Sequence, residues 1–124
     1  MELNELTQKL LSVEKSVITE NITDNPARMS KAMVLIAMYA NGVEEHLADL
    51  ERDYEVQSAQ LYRKCMLEER LSASAAEKHV KIELGELKGN LAYFSRVVAS
   101  AWRQSGVLQS RINHVVKFSE TTNL

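Results

Sequence analysis

The sequence predicts an all-α protein: a long antiparallel, coiled-coil-like helical hairpin with a short N-terminal helix, assembling into an oligomer. Three observations predict it. Apolar residues recur at alternating steps of three and four along most of the chain. One proline and four glycines in 124 residues leave little turn-forming material. Hydrophobic residues make up 45% of the chain but aromatics only 6%, so the core is built of Leu, Val, Ile, Met and Ala, which suits helix packing better than a sheet. The length fits one helical domain.

The first helix is expected over residues 2–18, where Leu3, Leu6, Leu10, Val13 and Val17 form one narrow apolar seam. Residues 19–25 then lose the period and read as a connector. Asn25 before Pro26 reads as an N-cap followed by the preferred first helical residue. The second helix follows to about residue 70, with a seam of Met29, Met33, Ile36, Ala40, Val43, Leu47, Leu50, Tyr54, Gln57 and Leu61. Asn41-Gly42 favours a turn, but the heptad keeps phase across it, so the helix is expected to continue.

In LSASAAEKHV, Ser74 stands three residues before Glu77 and reads as a capping box opening a third helix over residues 75–117. Its seam is Val80, Leu84, Leu87, Leu91, Phe94, Val98, Ala101, Ser105, Leu108, Ile112 and Val115. Residues 118–124 are left as a frayed polar tail. The short link between helices two and three requires an antiparallel pair within residues 26–117. Gly85 and Gly89 fall off the centre of the seam, where a missing side chain admits a second backbone. They read either as tolerated surface glycines or as a close contact with another subunit or with helix one. Leu35, Met38, Tyr39, Tyr62, Met66, Tyr93, Val97 and Trp102 also lie off the seam, and a lone hairpin cannot cover them. A homo-oligomer is therefore expected.

Chemistry-bearing patterns are absent. His46, His79 and His114 stand far apart, none follows a glutamate by three residues, and Cys65 is alone, so neither a di-iron nor a zinc centre is expected. No glycine-rich loop joins a strand to a helix. No enzyme, catalytic residue or cofactor is expected. The longest apolar run is too short to span a bilayer and no secretory pattern opens the chain, so a cytoplasmic protein without membrane association is expected.

The formal charge of −2 hides an asymmetry. Residues 1–57 carry five Lys or Arg against eleven Asp or Glu, a net of −6, whereas the remainder carries ten against six, a net of +4. Residues 87–119 hold no acid at all but include Lys88, Arg96, Arg103, Arg111 and Lys117. Arg96, Arg103 and Lys117 share one heptad position with Ser110, and Trp102 stands beside Arg103. Arg63, Lys64 and Arg70 form a second cluster near the turn. One-signed cationic stripes suit a phosphate backbone, with Trp102 and Tyr93 as stacking or interface residues. The acidic half of a neighbouring copy is the alternative partner for the basic stripe.

The order of elements, with SAAEKHVKIELGELKGNLAYF opening the third helix and AWRQSGVLQSRINHVVKF closing it, resembles the UvsY family of phage recombination mediators. The resemblance covers residues 30–118. It implies a helical ring that binds single-stranded DNA and helps load a RecA-like recombinase onto strands coated by single-strand-binding protein. It places DNA-binding residues before the turn, at Arg63 and Lys64, with Arg70 at the end of that stretch. Glu68 and Glu69 flank this cluster and the turn lacks a glycine-rich excursion, both departures from the family. A second reading has the same heptads: a helical adaptor or inhibitor of phage type that binds a host protein without nucleic acid.

Overall fold

The computed structural model describes residues 1–122, with side chains through residue 117. The described residues are all-α: α1 (Leu3–Thr19), α2 (Pro26–Leu67), α3 (Ala73–Glu83) and α4 (Gly85–Thr122). They fall into two compact units. One joins Met1–Glu44 with Arg96–Leu124, and the other is Glu45–Ser95.

In the first unit α1 turns its seam inward. Leu6, Leu10 and Val17 are buried together with Thr7, whose hydroxyl donates to the Leu3 carbonyl at 2.8 Å. They close a core with Met29, Ala32, Ile36, Ala40 and Val43 of α2 and with Val97, Val98, Ala101 and Leu108 of α4. The N-terminal helix is thus an integral third layer rather than an appendage, and it helps to cover off-seam residues such as Val97 and Tyr39. Gly42 makes this possible. A Cβ there would stand 3.0 Å from both Leu6 methyls, so the bare backbone of α2 is where α1 seats. Asn41-Gly42 does not turn, because the fifteen residues of α2 on its N-terminal side already hold the chain helical.

The connector is more structured than its polar composition suggests. Glu20 closes α1 by donating its N–H to the Ser16 carbonyl, and Asn21 then takes a left-handed φ of 48°, which asparagine tolerates. This reversal drops Ile22 into the core at 4% exposure. Asn25 caps α2 as expected, its side chain accepting from Arg28 N–H at 3.2 Å. The Arg28–Glu20 pair at 2.8 Å straddles the connector, but both partners are half-exposed and stabilise it little.

The second unit is thinner, with Leu47, Cys65, Ala76 and Leu91 as its buried residues. Leu61 and Lys64 share a hollow with Glu83 and Leu84, and Tyr54 and Tyr62 share another with Val80 and Lys88. The chain therefore returns alongside α2 after the turn. The seam drifts here: Gln57 is exposed, while Tyr54, Ser58, Leu61 and Cys65 face inward. Arg70, at φ 51°, reverses the chain, and the Leu71 N–H closes on the Cys65 carbonyl at 2.9 Å.

Three expectations for the third helix are corrected. The cap is Ser72, not Ser74: the Ser72 hydroxyl accepts from Ala75 N–H, and Ser74 lies inside the first turn. The left-handed Arg70 completes the reversal early, so the helix starts two residues sooner and buries Ala76. The helix is also interrupted, at Leu84 (φ −103°, ψ 12°). Hydrogen bonds bridge the break, from Leu84 N–H to the Val80 carbonyl and from Lys88 N–H to the Leu84 carbonyl. Gly85 follows immediately and opens α4. At the far end α4 continues to Thr122, beyond the expected fade at Lys117; residues 123–124 lie outside the described residues.

Candidate functional site

The anticipated site residues divide between the units. Arg96, Trp102, Arg103, Arg111 and Lys117 belong to the first, and Arg63, Lys64, Arg70, Tyr93, Gly85 and Gly89 to the second.

Burial of Val98, Ala101 and Leu108 fixes the rotation of α4 in the first unit and turns Arg96, Arg103 and Arg111 outward. Arg103 and Arg111 line an open hollow of about 690 Å³ with Gly106, Val107, Ser110 and His114. Nothing lies within 4 Å of a Cβ built on Gly106, so that position leaves the hollow bare. Val107 stands 60% exposed among the cations. Among the described residues, the ion pairs Arg28–Glu20 and Arg52–Asp49 leave Arg96, Arg103 and Arg111 without an acidic partner. The face is thus cationic, with one apolar rib. His114 and Gly106 were not anticipated. His114 stands eleven residues beyond Arg103 and three before Lys117, and that helical spacing carried the signal.

Trp102 stands at the edge of this face. Its indole N–H donates to the Glu44 carboxylate of α2 at 2.7 Å, and 37% of the residue is exposed. Part of the ring is therefore engaged inside the protein rather than offered to a ligand. On the opposite side of α4, the Gln104 amide donates to the Glu14 carbonyl of α1 at 3.3 Å. The Glu14 Oε1 and Gln104 Oε1 atoms are buried without partners, and burial pushes the Glu14 carboxyl above its ordinary range.

In the second unit Arg63 and Lys64 are exposed and line a shallow hollow with Gln60, Leu67 and Glu68. Arg70 is exposed in the left-handed turn. Tyr93 is 45% exposed and meets the Phe94 ring edge-on, with centroids 5.3 Å apart. Gly85 and Gly89 have open space where a Cβ would stand, so neither marks a close contact with helix one; that role falls to Gly42.

The expectation that Cys65 stands alone is also corrected. The turn brings it to Glu69 and His79, and their ligating atoms all lie within 4.8 Å of one another. Cys65 is fully buried, His79 half-buried and Glu69 exposed. Burial, then the Glu69 carboxylate, push the Cys65 thiol up; Lys64 opposes them and Glu83 adds to them. Sequence spacing could not show this, because His79 arrives from the far side of a turn whose geometry depends on Arg70.

No protein-family model matches the chain, and no curated protein or solved structure matches it either. No helix among the described residues is long and apolar enough to cross a membrane.

Proposed function

We propose that this protein is a non-enzymatic, single-stranded-DNA-binding recombination mediator, working as an assembly of coiled-coil-like hairpins. The observation that supports the reading most is the outer face of α4. Arg96, Arg103 and Arg111 project from a stretch of 33 residues without an acid, and none has an internal acidic partner among the described residues. Unneutralised guanidinium groups in a row repel one another, and phosphates relieve that repulsion while releasing counterions. Helping to load a RecA-like recombinase onto strands coated by single-strand-binding protein is what the resemblance to UvsY implies. The thin second unit, with four buried residues, favours a partner copy across its exposed apolar side chains Met66, Ile82 and Tyr93. Arg63, Lys64 and Arg70 form a second cationic cluster, at the turn of the second unit.

One observation favours the adaptor reading. Val107, 60% exposed, lies among the cations and suits a protein partner better than a phosphate backbone. Fluorescence anisotropy with a labelled single-stranded oligonucleotide separates the two. The mediator binds with affinity that falls steeply as salt rises, and the Arg96→Ala/Arg103→Ala/Arg111→Ala variant loses most of that binding at unchanged helicity. Absence of binding at low salt refutes the mediator and leaves the adaptor.

A further inference from the structure

We propose that Cys65, Glu69 and His79 form a binding site for a divalent transition metal of the zinc class.

Three features of the second unit support this. The first is the donor set. A thiolate sulfur, an imidazole nitrogen and a carboxylate oxygen suit a borderline ion such as Zn²⁺, whereas calcium and magnesium select oxygen alone. A thiolate and a carboxylate with a neutral imidazole also balance a dication, so the loaded site is neutral.

The second feature is distance. The donors lie within 4.8 Å of one another. Around a tetrahedral zinc, with bonds of about 2.3 Å to sulfur and about 2.0 Å to nitrogen, donors stand about 3.5 Å apart. A contraction of about 1 Å closes the site. Glu69 is exposed on a long side chain, so its carboxylate can swing toward the other two donors.

The third feature is the frame. Cys65 lies in the last turn of α2 and Glu69 two residues past its end at Leu67, so these two donors flank the entry to the turn. The connection from Glu69 to α3 is held by Glu69 N–H to the Lys64 carbonyl at 3.3 Å and Leu71 N–H to the Cys65 carbonyl at 2.9 Å. The Ser72 cap then fixes the start of α3 seven residues before His79. The residue whose side chain supplies the sulfur thus also receives the hydrogen bond that closes the turn. Metal binding is expected to stabilise the turn, since an ion bound only by the folded chain raises its stability by mass action.

Three protein donors leave a fourth position for water or a group from another molecule, the pattern of sites with an open coordination place. Loading forms the metal–sulfur, metal–nitrogen and metal–oxygen bonds, and the thiol proton leaves to solvent. No redox change is involved.

Titrating the reduced full-length chain with Co²⁺ tests the site. One ion per chain is expected to bring up thiolate-to-cobalt charge-transfer absorption and the visible bands of four-coordinate cobalt, both abolished by Zn²⁺. Cys65→Ala removes the charge-transfer band. Glu69→Gln and His79→Gln each weaken binding by at least about tenfold, and His114→Gln leaves it unchanged. Glu69 is exposed, so Glu69→Gln keeps the fold even if Cys65→Ala does not; helicity by circular dichroism identifies a variant that has unfolded. Absence of charge-transfer absorption up to millimolar Co²⁺ overturns the site. So does absorption that persists at full affinity in both Glu69→Gln and His79→Gln, which would mean adventitious binding to the thiol.

Discussion

At the scale of single residues, two positions carry costs that substitution can reveal. Arg70 holds a left-handed backbone that L side chains adopt at about 1–2 kcal/mol, whereas glycine adopts it freely. Arg70→Gly is therefore expected to stabilise the chain by about 1 kcal/mol, seen as a higher urea midpoint at unchanged slope. Glu14 carries a cost of a different kind, because its carboxyl is pushed above the ordinary 4.5 by burial. The native chain then holds a proton more readily than the unfolded one between that ordinary value and the raised one, so stability falls as pH rises through that window. Above the window the whole penalty is present; below it both states are protonated and the penalty is gone. Glu14→Gln keeps the shape and removes the charge. It is expected to raise Tm at neutral pH and to lose that advantage as the pH approaches 4.

Helices pack by close approach of whole elements, and here the decisive approach is α1 onto α2 at Gly42. With a built Cβ 3.0 Å from the Leu6 methyls, Gly42→Leu overpacks the contact and is expected to destabilise the chain by about 1–3 kcal/mol. Adding Leu6→Ala vacates the space, so the double variant should be more stable than the sum of the two single changes, a coupling that chemical denaturation reads directly. The seams of α1, α2 and the third helix were legible in the sequence because apolar period depends only on local spacing: Leu6, Leu10, Ile36, Val43, Val98 and Leu108 are buried where the heptads place them. Gly42 was not legible as a docking point, since nothing in its neighbourhood says which helix will approach. Ile22 was hidden for a similar reason: one apolar residue in a polar connector has no period, and it is buried only because Asn21 reverses the chain. Ser72 and Ser74 both satisfy the composition of a cap, and the turn at Arg70 chose between them. For the candidate site, the one-signed charge of residues 87–119 was readable from composition, whereas the meeting of Cys65 with His79 required the turn itself.

For the whole molecule, assembly and nucleic-acid binding make linked demands on one measurement. One chain presents Arg96, Arg103, Arg111 and Lys117 along α4. If all four met phosphates of a single strand, the slope of log affinity against log salt would be about −3, from about −0.7 for each neutralised phosphate. A slope of that size fits one engaged chain. An assembly that threads several chains along one strand adds their contacts, so its slope must be a multiple of this value, and its mass must exceed 14.0 kDa by the same kind of factor. The expected outcome is that both rise together: light scattering shows several chains per particle, and the salt slope is steeper than −3. Gly89 then separates the two properties. Its Cβ position is open within the chain, so Gly89→Leu does not disturb the fold from inside. If a second copy lies against that face, the variant loses mass and its salt slope falls back towards the single-chain value, while its helicity holds. A wild-type chain that scatters as a 14.0 kDa monomer at micromolar concentration and binds with a slope near −3 would rule out assembly while keeping the cationic face of α4 as a single-chain binding surface.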